Sequence, residues 1–341
     1  AVPCGGWDLA ILAGRDQNRK PFVAMIGDPM AAGGGARGTG DGGDTSGIIG
    51  IPMGKIADVE MNEFQYPILY LWRREEIDSG GAGRYRGGVG GSSCFVLHDT
   101  PDETLHLVVS QSGKAVPQAV GVSGGRSGNT GFDLLIHASD ALAQMASGVI
   151  PAELSQIGGR HEELPSHLAT GLSRGDVYYM QWQGGGGYGE PLLRVPAAVL
   201  ADVNGGRVSQ AAARDIYGVV LGPDGVDVEQ TAKRRAELAA SQRGGHAPAH
   251  QPALDERTGT RVDDNLVLTT RGEVACVHCG SVLGPVDDYL GGAIRRDGPV
   301  ESAGPQIRGT PRAHADQDLA FRQFLCPGCG VCLHNEVVPA A

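Results

Sequence analysis

The chain has 341 residues, a formal net charge of −11 and no basic cluster, which makes nucleic acid and anionic membrane surfaces poor partners. Hydrophobic residues make up 41%, enough for a packed core, yet no apolar run reaches the roughly 18 residues that cross a bilayer. Glycine is the outlier: 55 copies are more than twice the usual share of about 7%, with no collagen-like period, so many tight turns in a β-rich fold are expected and low-complexity disorder is not.

Residues 7–27 read as a hairpin, with the apolar runs WDLAILAG and PFVAMIG joined by the polar stretch Arg15 to Lys20. A long glycine-rich loop follows at 31–47. It is not a phosphate-binding loop: in Gly50 to Lys55 the glycines stand one residue too close for GxxxxGK[ST], and Ile56 replaces the required hydroxyl. A backbone-shaped surface or channel loop is expected instead. In VEMNEFQYPILYLW (59–72) a strand is expected after Pro67. A second glycine-rich turn, 79–91, precedes two strand-like runs within 92–112, and β-like runs recur at 134–143 and 175–183. GGGGYG at 184–189 is a tight loop.

Short helices come late. Pro196 suits the first position of one that Gly205 ends, and Ser209 can cap the next, stopped by Gly218. A third runs from Val228 to Gln242 with Asp227 as N-cap and Gln230 three residues on. The polar stretch 246–265 reads as a linker, in which His246 and His250 lack partners for a metal. The expected fold is therefore a β-rich α+β body over 1–245 with glycine-rich loops and short late helices, then the linker, then a small zinc-ribbon-like domain over 266–341.

Seven cysteines are an odd number and not a secreted disulfide framework, and Ala1 to Ala13 shows no signal peptide, so a cytoplasmic location is expected. Four cysteines form the pattern Cys276-x2-Cys279, 46 residues, Cys326-x2-Cys329. Each pair puts two thiolates on one tight turn, and two such turns supply the closed tetrahedral set of a structural zinc ion. Glycine follows each second cysteine and lets backbone amides turn towards the sulfurs. Redox pairs would need a βαβ context, which is absent. Cys332, His278 and His334 lie close enough in sequence to replace one ligand. With four thiolates no open position remains for catalysis, and so small a domain should need its metal to fold.

The segments DGGDTSG, GGAGRYRGG and GGGGYGEP, followed by AVLADV and YGVV in that order, resemble the hydantoinase B family over about residues 5–242. That family includes large subunits of N-methylhydantoinase, oxoprolinase, and acetone and acetophenone carboxylases. The resemblance covers only the family's C-terminal half; the N-terminal half, which in the family holds a catalytic divalent metal through His and Asp, is expected either on another subunit or in the rest of a cleaved or split protein of which this chain is one piece. PILYLWRR resembles the ketone-carboxylase branch, and the cysteine domain resembles the small subunit of those carboxylases, here fused. The resemblance implies a subunit of an ATP-dependent ketone carboxylase. A hydantoinase-A-like ATPase subunit would phosphorylate the ketone's enol and bicarbonate, and this chain would receive both for joining into a β-keto acid. Such intermediates need a dry route. Asp41, Asp44 and Glu63 are the polar groups expected near it, with Arg84 and Arg86 as anion contacts; turn-shaping carboxylates and surface ion pairs are the plainer reading of the same residues. Two alternatives remain: a subunit of an ATP-dependent hydantoinase, oxoprolinase or lactamase, and a non-catalytic scaffold.

Overall fold

A computed structural model describes residues 1–48, 51–52, 54–244 and 259–340. Gly50, His246, His250 and most of the expected linker lie outside the described residues.

The expected hairpin forms: Asp8–Arg15 pairs antiparallel with Pro21–Ile26. It is half of a four-stranded sheet in the order His167–Ser173, Thr104–Gln111, Asp8–Arg15, Pro21–Ile26. A five-stranded antiparallel sheet faces it, in the order Ile68–Glu75, Gly91–Leu97, Val177–Gln181, Phe132–His137, Arg160–Glu163. Leu12, Ile26, Leu107 and Val109 of the first sheet share one core with Phe95, Tyr178 and Met180 of the second. The second sheet's other face is also covered, by Ala141 and Ile157 packed on Val96, Leu134 and Tyr179. Its central strands are therefore buried on both sides, which explains their continuous apolar runs.

Two early helices were not anticipated. In α1 (Val59–Gln65), Asp58 caps the first turn by accepting from the Glu60 amide. The second, α2 (Ala141–Ala146), interrupts what read as β-like sequence after His137. The three late helices form as expected. Pro196 opens α3 (Pro196–Asn204) and Gly205 closes it. Ser209 caps α4 (Gln210–Asp215), its hydroxyl accepting from the Ala212 amide. Asp227 caps α5 (Val228–Gln242), accepting from the Gln230 amide.

Parts of the glycine-rich segments stay exposed, residues 37–39 among them, but most of their length is not surface loop. They interlock as a hydrogen-bonded layer inside the body. The Gly88 amide donates to Gly34 O, Gly185 to Gly88 O, Gly81 to Gly185 O, and Ala36 to Gly186 O, all at 2.8–2.9 Å. A Cβ on Gly185 would fall on the Gly34 carbonyl, and one on Gly88 on the Gly43 carbonyl, so only glycine permits these approaches. These amides are committed to neighbouring carbonyls, yet the 31–47 segment also borders an open cavity of about 710 Å³ lined by Gly34, Gly35, Gly38, Gly43 and Tyr188.

The C-terminal region contains two small antiparallel sheets. One runs Gly259–Arg261, Leu266–Thr269, Glu273–Cys276, Val282–Pro285, and the other Ile294–Pro299, Leu319–Leu325, Cys332–Pro339. The strand at 259–261 begins inside the expected linker, because Thr260 and Arg261 alternate as an exposed edge strand paired to Leu268 and Val267. The region is bonded to the body at several points. The Cys332 amide donates to Glu190 at 2.7 Å, Asn335 to Gly125 O at 2.9 Å, and Asn265 to Ser123 O at 2.6 Å.

Candidate metal centre and buried ion-pair network

The two CxxC turns sit on equivalent hairpins, one in each C-terminal sheet. In each, the amide of the glycine after the second cysteine returns to the first cysteine's carbonyl: Gly280 to Cys276 O at 2.9 Å and Gly330 to Cys326 O at 2.8 Å. Both glycines hold positive φ, 73° and 80°, the left-handed turn that lets each chain double back under its sulfurs. The sequence placed the same glycines there without showing that the two knuckles would meet. They do: the four sulfurs of Cys276, Cys279, Cys326 and Cys329 lie within 4.8 Å of one another and could hold a metal ion. Cys276 Sγ is 3.7 Å from Cys329 Sγ, and Cys279 Sγ is 3.5 Å from Cys326 Sγ. Metal–sulfur bonds of about 2.3 Å put the sulfurs of a tetrahedron about 3.8 Å apart, so the spacing fits.

The three candidate substitutes stand outside this cluster. His278 Nε2 is 2.9 Å from Asn265 Oδ1, and His334 Nε2 is 3.6 Å from Glu336. The Cys332 thiol donates to His334 O at 3.4 Å. Hydrogen bonding to Cys326 and Cys329, reinforced by burial, pushes the Cys276 thiol well up. A divalent cation removes that repulsion and releases the protons, so occupancy of such a site depends on pH.

Of the five polar residues expected near a substrate route, three come together. Asp41, Asp44 and Arg86 meet Arg194, Asp202 and Arg207 in one network of three carboxylates and three guanidiniums. Arg194 grips both Asp41 oxygens at 2.7 Å and Asp202 Oδ2 at 2.7 Å. Arg86 reaches Asp44 at 2.8 Å and Asp202 at 3.3 Å, and Arg207 bonds the far side of Asp44. The carboxylates also accept backbone amides, Arg86 N on Asp41 at 2.7 Å and Val89 N on Asp44 at 2.9 Å. Burial alone would raise both carboxyls; the guanidiniums facing them outweigh it and hold Asp41 and Asp44 below the usual range. Charge is balanced, and each named carboxylate is engaged by more than one donor. The arrangement is a clamp fastening the 31–47 and 79–91 segments to α3.

Glu63 and Arg84 lie elsewhere. Glu63 on α1 accepts the Tyr70 amide at 2.8 Å, fixing the helix to the following strand. Arg84 is about half exposed, stacks over Tyr85 at 5.5 Å and pairs with Asp264 at 3.3 Å. It thereby joins the body to the C-terminal region.

Sequence reasoning missed Arg194, Asp202 and Arg207. The usable signal was that two aspartates on one Asp-Gly-Gly-Asp turn need cations, and LRVPAAVLADVNGGR offers two with an aspartate between. It also missed a buried group between the two large sheets. There Lys114 Nζ is 2.9 Å from Asp133 and donates to Leu164 O at 2.7 Å, while Tyr178 donates to Asp133 at 2.7 Å.

The family model described as hydantoinase B/oxoprolinase matches residues 1–191. The chain belongs to the hydantoinase B/oxoprolinase family. Among curated relatives, the acetone carboxylase alpha subunit of Xanthobacter autotrophicus is 30% identical over 67% of this chain and 31% of its own length. The acetophenone carboxylase delta subunit of Aromatoleum aromaticum is 29% identical, covering 72% of this chain and 38% of the relative. The caprolactamase subunit beta of Pseudomonas jessenii is 32% identical over 66% and 36%. The chain thus spans about a third of the length of these relatives. Among solved structures, a nucleotide-free acetone carboxylase superposes with TM-score 0.63 at 28% identity, over 71% of this chain and 34% of that one. An ATP-dependent caprolactamase from Pseudomonas jessenii superposes with TM-score 0.54 at 27% identity, over 69% and 38%. The hydantoinase B resemblance read from the glycine motifs agrees with these matches, and the ketone-carboxylase branch read from PILYLWRR is among them beside a caprolactamase. Homologues of this chain are subunits of ATP-dependent carboxylase and lactamase complexes.

Proposed function

We propose that this chain is one subunit of an ATP-dependent ketone carboxylase complex, converting a ketone and bicarbonate to a β-keto acid through phosphorylated intermediates. The observation that carries the reading is the likeness to acetone carboxylase, in sequence over 67% and in structure over 71% of the chain. Enol phosphate and carboxyphosphate are lost to water, so the joining step needs a closed site. This chain's contribution is a rigid wall for that site: the interlocked glycine layer and the Asp41–Arg194–Asp202–Arg86–Asp44 clamp that fixes it. Asp41, Asp44 and Arg86 then act as positioning residues; Arg84 and Glu63 remain the proposed polar contacts nearest an intermediate. ATP and the catalytic divalent metal belong, in this reading, to partner subunits: a hydantoinase-A-like ATPase and a chain supplying the rest of the hydantoinase B fold.

A surface of this chain supports such a companion. On the outer face of the four-stranded sheet, Met25, Ile11, Val108 and Ala169 lie in register across all four strands. Val23, Met25 and Val108 are 76, 53 and 39% exposed. A sheet face that met only water would carry polar residues at these positions.

We further propose that the four cysteines hold zinc in a structural role, that the C-terminal region from Gly259 onward is a module following the 1–245 body, and that the complex is cytoplasmic. All four coordination positions being thiolate, zinc would supply folding energy and no reaction step. The caprolactamase likeness favours a second reading, an ATP-dependent cyclic-amide hydrolase subunit. Affinity purification of the tagged chain from its native cells tests the assignment. Co-purification of an ATPase subunit and a hydantoinase-B-like companion is the expected result, and recovery of the chain alone, active or not, refutes it.

A further inference from the structure

Where the C-terminal region docks on the body it leaves a groove of about 390 Å³. Its body side is Leu192, Ile216 of the α4 end and Leu238 of α5; its opposite side is Pro299 and Phe321. Arg126 lies in it. The Arg126 guanidinium rests over the Phe321 ring at 5.9 Å and donates from Nη1 to Ala303 O at 2.6 Å. Among the described residues it makes no other side-chain hydrogen bond and no ion pair. Guanidinium has five N–H donors, and the bond to Ala303 uses one of them.

The two aspartates that line the groove are engaged elsewhere. Asp215 is held by Arg214 at 2.9 Å and Arg234 at 3.0 Å. Asp297 is held by Arg295 at 2.6 Å and Arg322 at 3.1 Å. Glu190 is buried, accepts the Cys332 and Leu192 amides at 2.7 and 3.3 Å, and also interacts electrostatically with Arg126 without forming an ion pair. A second cation, Arg296, also lines the groove and has no ion-pair partner among the described residues. In a chain of net charge −11 this is a mainly polar cleft of ligand size, lined by two arginines, by two aspartates held by other arginines, and by an apolar patch of Leu192, Ile216, Leu238, Pro299 and Phe321.

We propose that this groove binds a small monocarboxylate with an apolar body, the carboxylate forked on Arg126 and the body against Phe321, Ile216 and Leu238. Planar guanidinium matches a carboxylate with two parallel N–H bonds. The apolar walls distinguish such a ligand from inorganic phosphate, which would leave them in contact with water alone. The site lies apart from the Asp41–Arg194 clamp and the cysteine quartet, and it does not depend on which reaction the complex performs.

Titration calorimetry on the full chain tests it, with benzoate as probe, benzamide as its neutral counterpart and inorganic phosphate as the small anion. Benzoate is expected to bind saturably and benzamide at least tenfold more weakly. The R126Q variant should lose benzoate binding at least tenfold while the wild-type comparison of benzoate with benzamide serves even if that variant fails to fold. Absence of saturable benzoate binding overturns the proposal, as does equal binding of benzamide. Phosphate binding as tight as benzoate overturns the carboxylate assignment.

Discussion

Replacing Arg194 with methionine separates the two meanings of the buried charge network. The Arg194 side chain is 3% exposed and the Asp202 side chain 8%, so the substitution leaves Asp202 with only Arg86 at 3.3 Å and removes both bonds to Asp41. Breaking a buried pair by removing one partner costs about 3–5 kcal/mol. Asp41 is about one-third exposed and water recovers part of its loss, so the lower end of that range applies. At roughly 2–4 °C per kcal/mol for a body of this size, the melting temperature should fall by about 10 °C. The network also sets a pH dependence. Asp41 and Asp44 have folded-state values below their unfolded ones, so their contribution is present above about pH 4 and is lost as pH falls through the folded values. Circular-dichroism melts of wild type and R194M at pH 7, at about pH 4 and below it are the assay, and the difference between the two proteins should hold down to about pH 4 and shrink only at lower pH. If R194M melted within about 2 °C of wild type at pH 7, the clamp would not be structural, and a catalytic role for Asp41 would return.

Gly185→Ala should abolish soluble expression or lower the melting temperature by more than 10 °C, since its Cβ falls on the Gly34 carbonyl; a stable, soluble variant would contradict the interlocked layer. Lys114→Met, which strands Asp133 between the two sheets, should cost about 3–5 kcal/mol in chemical denaturation, and a loss under 1 kcal/mol would refute it. Arg84→Ala, on a half-exposed pair, should leave the melting temperature within about 2 °C of wild type. Elemental analysis of the purified chain should find about one zinc, lost on acidification as the thiolates reprotonate; iron with visible absorbance, or no metal, would overturn the zinc assignment.

Local chemistry made much of the fold legible. Asp227, Ser209, Pro196 and Gly205 mark helix ends by their own hydrogen-bonding and backbone preferences, and the structure uses all four as such. The CxxC turns were legible for the same reason, because each carries its own geometry. The reading failed where meaning lies in long-range packing. Glycine-rich runs look alike whether they are exposed loops or a buried layer; only the meeting of Gly34, Gly88 and Gly185 decides. Asp41 and Asp44 looked available because two of their three cations, Arg194 and Arg207, stand more than 100 residues downstream. The helix α2 was hidden because ALAQMA follows directly on a buried strand with no strong stop.

The measurement closest to the central claim uses the purified complex, ATP, a panel of small ketones and 13C-labelled bicarbonate. The expected result is ATP-dependent transfer of the label into a β-keto acid. ATP-dependent opening of a cyclic amide by the same preparation, with no label entering any ketone, would contradict the carboxylase assignment and put the lactamase reading in its place.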